Sequence, residues 1–134
     1  MARGRKTYSR MEKFVFQGVR NVAPGSNQIL TFQLDQGEVE AQIKRIMLSM
    51  GGSGTSKQAV FKLGLFQKLP TTSADFDDET TVISGAVGNQ CWHNETITAR
   101  CPKDWYIGLI LINFNGATAE DLCVSLQLNY KVLN

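Results

Sequence analysis

The chain has 134 residues, room for one domain around one hydrophobic core and too few for two. Its 43% hydrophobic and 19% charged residues are those of an ordinary folded domain and exclude an intrinsically disordered chain. The longest apolar run, residues 107–112, is interrupted by Gly108 and falls short of the roughly 20 residues that span a bilayer, so no membrane partner is expected.

From the N-terminus, residues 1–13 read as a short basic arm. Arg3, Arg5, Lys6, Arg10 and Lys13 stand against Glu12 for a net +4, leaving −2 on the remainder of a chain whose total is +2. A cationic tail on a mildly acidic body reaches a polyanion while the body packs against its neighbours, which makes these five side chains the candidate nucleic-acid contacts. The first residues have the charge of a secretory n-region but no apolar h-region follows, so export by a cleaved signal is not expected.

The folded domain is expected over residues 14–134. Phe14, Val15 and Phe16 open it, and Pro24-Gly25-Ser26-Asn27 breaks the chain before a strand at 29–34 in which Leu30, Phe32 and Leu34 share a face. A turn at Asp35-Gln36-Gly37 leads into 38–50. There Val39, Ala41 and Ile43 sit on odd positions but Ile46, Leu48 and Met50 on even ones, a slip of phase that predicts a β-bulge near Lys44-Arg45. The segment 51–56 is a glycine-rich connection, 59–66 resumes strand character, and 69–80, with Pro70 and four carboxylates, reads as a long exposed loop. Short strands follow at 81–83 and 96–99, separated by a turn at 85–89. Residues 105–113 are apolar on both faces, as a central covered strand requires, and Asn115-Gly116 turns the chain. Residues 122–132 alternate without a break: Leu122, Val124, Leu126, Leu128, Tyr130 and Val132 on one side, Cys123, Ser125, Gln127, Asn129 and Lys131 on the other.

About eight strands in roughly 120 residues, with no helical periodicity, predict an all-β fold. The expected form is an eight-stranded jelly-roll sandwich of two antiparallel sheets, with an immunoglobulin-like sandwich as the second choice.

The remaining motifs carry no chemistry. Lys57 follows Gly51-Gly52-Ser53-Gly54-Thr55-Ser56 without the Gly-Lys step and the helix of a phosphate-binding loop. Asn94-Glu95-Thr96 is a glycosylation sequon without a secretory address. His93, the only histidine, lacks a nucleophile elbow, and Asp75, Asp77, Asp78 and Glu79 lack the spacing of an EF-hand loop. Cys91, Cys101 and Cys123 form no Cys-x-x-Cys pair; free thiols are expected, with a Cys91–Cys101 bridge open to an oxidising compartment. No enzyme activity, cofactor, metal or small-molecule substrate is expected.

Taken together, the basic arm, eight strands, the bulged long strand, Asp104 to Asn113 and the closing Gln127-Leu128-Asn129-Tyr130-Lys131-Val132 resemble single jelly-roll capsid proteins of small icosahedral viruses. The nearest likeness is to circular Rep-encoding single-stranded DNA viruses. The resemblance implies a coat protein of the virion that assembles with itself into a T=1 shell of about sixty copies. The arm would face the interior and the packaged nucleic acid, with single-stranded DNA as the implied partner. Relatives are usually longer and have more basic arms. Sixty arms at +4 supply on the order of +240, less than a genome of a kilobase or more carries, so body residues such as Lys44, Arg45 and Arg100 would have to contribute. Two alternatives share features with the chain: a trimeric jelly-roll ligand, and an all-β module for single-stranded nucleic acid.

Overall fold

The alternation at the C-terminus demands a strand with one buried face, and the first sheet is built around it. The structure is a computed structural model that describes residues 8–33, 38–51, 58–77, 79–88, 93–114 and 119–133. Arg3, Arg5, Lys6, the turn at Asp35-Gln36-Gly37, residues 52–57, Asp78, Cys91 and Asn115-Gly116 lie outside the described residues. Eight strands follow in chain order: β1 (Tyr8–Val22), β2 (Asn27–Gln33), β3 (Glu38–Gly51), β4 (Gln58–Phe66), β5 (Thr81–Gly88), β6 (His93–Pro102), β7 (Tyr106–Asn113) and β8 (Glu120–Leu133).

They form two four-stranded antiparallel sheets, ordered β1-β8-β3-β6 and β2-β7-β4-β5. The pairs β1 with β8, β2 with β7, β3 with β6 and β4 with β5 are all present, which is what rolling one long hairpin into a sandwich produces. The fold is therefore an eight-stranded jelly roll, as the strand count predicts. On β8, Leu122, Leu126 and Leu128 are fully buried and Val124 nearly so, while Cys123 is exposed and Ser125, Gln127 and Asn129 are half-buried. Each such leucine removed from water contributes about 1.5–3 kcal/mol, and together with Ile43, Ile46, Phe61, Leu63, Ile107, Leu109 and Leu111 they make the core between the sheets.

Both neighbours of β8 are bulged. β3 shifts register between Ile43 and Arg45, where the slip of phase places it, so Ala41 and Ile43 on one side of the shift and Ile46 and Leu48 on the other all face inward. β1 shifts between Val15 and Gly18, with φ of 58° at Phe16 and 128° at Gly18. The second value lies where only glycine is comfortable. The extra residue lets Val15 and Phe16, adjacent in sequence, both meet the core.

β1 also begins earlier than the arm boundary allows. Residues 8–13 pair with β8, Tyr8 opposite Leu133 through Lys13 opposite Leu128, so the strand takes in the last six residues assigned to the arm. Two further extensions concern β5 and β6. β5 runs on through Gly85 to Gly88, because β4 supplies a partner as far as Gln58, and β6 reaches from His93 to Pro102 along β3.

The crossing from the first sheet to the second is clasped by Asn113, the one buried polar side chain among the described residues. Its Nδ2 donates to the carbonyls of Val22 (3.1 Å) and Ala23 (3.3 Å), and its backbone N–H donates to Ser26 (2.9 Å). These bonds tie the end of β7 to the β1–β2 connection.

The burial pattern makes a paired prediction for adjacent residues of β8. Leu126→Asp puts an unpaired carboxylate into the sandwich at a cost of several kcal/mol, set against a total stability of about 5–15 kcal/mol, so the variant should be insoluble. Gln127→Asp lies on the outer face and should give soluble protein with the wild-type circular dichroism spectrum. Equal tolerance of both would remove β8 from the core.

Candidate assembly and nucleic-acid surfaces

β7 is buried on both sides, and the second cover comes from the segment between β4 and β5. The outward positions Gly108 and Ile110 meet Phe66, Phe76 and Pro70. Gly64 and Gly108 are direct partners, and the Phe66 ring lies on them: a Cβ on Gly108 would come 2.7 Å from that ring, and one on Gly64 would come 2.8 Å from the Thr80 carbonyl. Phe76 stacks edge-on against Phe66 with centroids 4.8 Å apart. The expected exposed loop is thus a packed cover: Pro70 and Phe76 are buried, and Lys62 Nζ donates to the Phe76 carbonyl at 3.4 Å. The pattern fails here because two buried residues spaced six apart in a polar segment show no periodicity.

The carboxylates of this cover are occupied in holding its turns. Asp75 Oδ2 accepts from the backbone N–H groups of Thr71 (2.9 Å) and Thr72 (3.0 Å) around a short 3₁₀ turn, Ser73–Asp75, and these bonds lower its pKa. Asp77 Oδ1 accepts from the N–H groups of Thr80 and Glu79, both at 3.0 Å, with the same lowering effect, led by the Thr80 bond. An open cleft of about 500 Å³ lies between this segment and Trp105, lined by Leu65, Lys68, Leu69, Asp77 and Glu79. Among the described residues no group of three His, Cys, Asp or Glu could hold a metal. His93 starts β6 opposite Leu48, and the sequon runs along the same strand, its backbone paired with β3.

The basic candidates separate. Arg10 lies within β1, opposite Lys131 of β8. Lys13 is opposite the buried Leu128, and its Nζ sits 4.9 Å from the centre of the Phe32 ring, where it closes the edge of the sandwich by a cation–π contact. Of the body cations, Arg45 and Arg100 are exposed and Lys44 is half-buried at the bulge.

Among the described residues five large apolar side chains are exposed, of which the sequence places only Leu69, at the start of the expected 69–80 loop, on the surface: Phe14 (48%), Val19 (62%), Leu69 (51%), Val82 (36%) and Phe114 (64%). Phe14 and Val19 lie on the outer face of the edge strand β1, opposite Gln127 and Cys123. Val82 lies on the edge strand β5 of the other sheet. Leu69 stands at the end carrying the β4–β5 segment, and Phe114 at the opposite end, just past β7. Leu69 beside Pro70, and Phe114 beside Asn115-Gly116, were the detectable signals: large apolar residues in turn-forming surroundings.

Comparison with known proteins finds no matching family model and no matching curated protein. Thirteen solved chains are similar in structure. One belongs to a study described as "Bacillus endospore appendages form a novel family of disulfide-linked pili". It aligns over 99% of this chain and 94% of that one, at 14% sequence identity and a TM-score of 0.45. At that identity and score the likeness transfers no activity, partner or residue role.

Cysteine reactivity reads out the two faces of the first sheet. Cys101 points into the core, where burial pushes its thiol up to about 11, whereas Cys123 is exposed; both are free. At about pH 8 the thiolate fraction at Cys101 is on the order of one part in a thousand. In a Cys91→Ser background, a chromogenic disulfide reagent should titrate one thiol in the native protein and two after denaturation. Two fast-reacting native thiols would contradict the placement of β6.

Proposed function

We propose that this chain is a viral capsid protein that self-assembles into a small icosahedral shell of about sixty copies and packages nucleic acid, single-stranded DNA being the class its resemblance implies. The N-terminal residues that carry Arg3, Arg5 and Lys6 face the interior, and the protein resides in the virion.

The observation that carries the proposal is the placement of the exposed apolar side chains. Phe14 and Val19 stand on β1, an edge strand of one sheet, Val82 on β5, an edge strand of the other, Leu69 at one end of the sandwich and Phe114 at the opposite end. A dimer or a trimeric ligand needs one or two contact surfaces, whereas a shell subunit is enclosed by neighbours around its whole perimeter. The jelly roll supports the same reading, with short described connections apart from the packed β4–β5 segment.

Single substitutions on different sides test this. The wild-type chain should sediment as uniform closed particles. Val19→Glu, Val82→Glu and Phe114→Glu should each separately leave a folded, much smaller species, because closure needs every side. A wild-type chain that stays monomeric over a wide range of concentration and salt overturns the proposal. So does sensitivity confined to one of the three sites, which is the signature of a simple dimer.

A further inference from the structure

β1 is one strand in two halves. Before the bulge, Tyr8 to Val15 pair in register with Leu133 to Leu126 of β8; beyond it, Gly18 to Val22 pair with Val124 to Glu120. Between the halves, Phe16 and Gln17 have no Cα partner in that register.

The first half is tied to the domain chiefly through its backbone. Among its described side chains Val15 is the one that is buried; Glu12 and Phe14 are exposed, and Lys13 is half-buried beside Phe32. Ladder bonds between N–H and C=O groups do not depend on which side chains flank them, so β8 of a second copy offers this segment the partners it has at home. β1 is also an edge strand, and its departure uncovers one side of β8 without breaking a second pairing.

The junction has the geometry of a hinge. Phe16 holds a φ of 58°, a region that bulky L residues avoid, and Gly18 holds 128°, where glycine alone is at ease. Gln17 and Gly18 are exposed, and a Cβ built on Gly18 would meet no atom within 4 Å, so nothing packs on the chain at that point. Extending these three residues takes Phe16 out of its unfavourable region, and strain held at a junction of this kind marks a segment with a second arrangement.

We propose that residues 8–15 are exchanged between neighbouring copies of this chain: swung out about Phe16–Gly18, the segment pairs with β8 of the next copy and seats its Val15 in that copy's core. The proposal rests on the self-assembly proposed above and names a link between subunits that the exposed apolar side chains have brought together. Exchange of an identical element keeps each contact of the closed form, which makes it a low-cost route to association. Three extended residues span roughly 10 Å, so the receiving copy is one in direct contact. The incoming segment takes the place the home segment leaves, and the edge of the sheet, now built from two chains, is still interrupted at the hinge.

The test uses the full chain with Cys91→Ser and Cys123→Ser, which leaves only the buried Cys101 thiol. Glu12 and Asn129 are direct partners before the bulge, at a separation a disulfide can bridge, and both become cysteine in one variant. Asn21 and Asp121, direct partners beyond it, become cysteine in another. Each is allowed to assemble, oxidised, denatured and run on a gel without reductant. Glu12→Cys with Asn129→Cys should give most chains as covalent multimers that reductant returns to monomer, whereas Asn21→Cys with Asp121→Cys should give internally bonded monomer. Circular dichroism checks folding, and Phe14→Cys with Gln127→Cys, the neighbouring outward pair, replaces the first variant should it misfold.

Monomers from the first variant, internally bonded or still reduced, overturn the exchange, and so do multimers from both variants. Sedimentation before oxidation separates this result from the shell. Closed particles whose chains carry internal bonds alone keep the shell and remove the exchange, whereas linked multimers without closed particles remove the shell and keep the exchange.

Discussion

A strand apolar on both faces constrains the whole molecule. The inner positions of β7, Ile107, Leu109 and Leu111, are covered by the facing sheet, but its outer positions would meet water without a second layer. The chain supplies that layer from the β4–β5 segment, folding Phe76 and Pro70 back over the sheet and seating the Phe66 ring on the Gly64–Gly108 pair. Two glycines that weaken a strand by propensity are the residues that make the covering ring fit. Once the segment is committed there, its carboxylates are committed with it, held in turns by the N–H groups they accept from. One broad side of the sandwich is thereby covered and acidic, and the outer face of the other sheet is left open. The acidic character of that side is a consequence of burying β7.

The parts of the fold that were legible in the sequence are those whose burial is periodic. β8 alternates because one face meets the core along its length, and the bulge in β3 is visible because it inverts that alternation at a single step. β1 hides the same device. Its bulge falls beside the continuous apolar triple Phe14-Val15-Phe16, in which no phase can be read, so Phe14 looked like core although it is half-exposed. Its first six residues are polar and basic and become a strand only because β8, more than a hundred residues later, offers them a ladder. That is a non-local cause, invisible to composition. Of the five basic residues proposed as contacts, Lys13 is drawn to the sandwich edge by Phe32, a contact that no charge count reveals. Arg45 and Arg100 were legible only as cations; register is what brings them to one face.

The bulge in β1 bears on the kind of assembly the subunit can make. β1 is an edge strand of 15 residues, long enough to template pairing with another chain through its open backbone edge. Phe16 and Gly18, with positive φ, interrupt the ladder near its middle and bend it, so a second flat strand could not run along its full length. In the proposed shell, association is then left to side chains: Phe14 and Val19 beside the bulge, Val82, Leu69 and Phe114 elsewhere on the surface. Edge-to-edge pairing repeats without a fixed angle and tends toward fibres, whereas side-chain contacts on inclined surfaces fix the angle between neighbours and permit closure. In the proposed shell, the distorted backbone at Phe16 and Gly18 and the exposed apolar groups around the rim are two halves of one requirement. The first suppresses open-ended growth, and the second supplies contacts whose geometry can close.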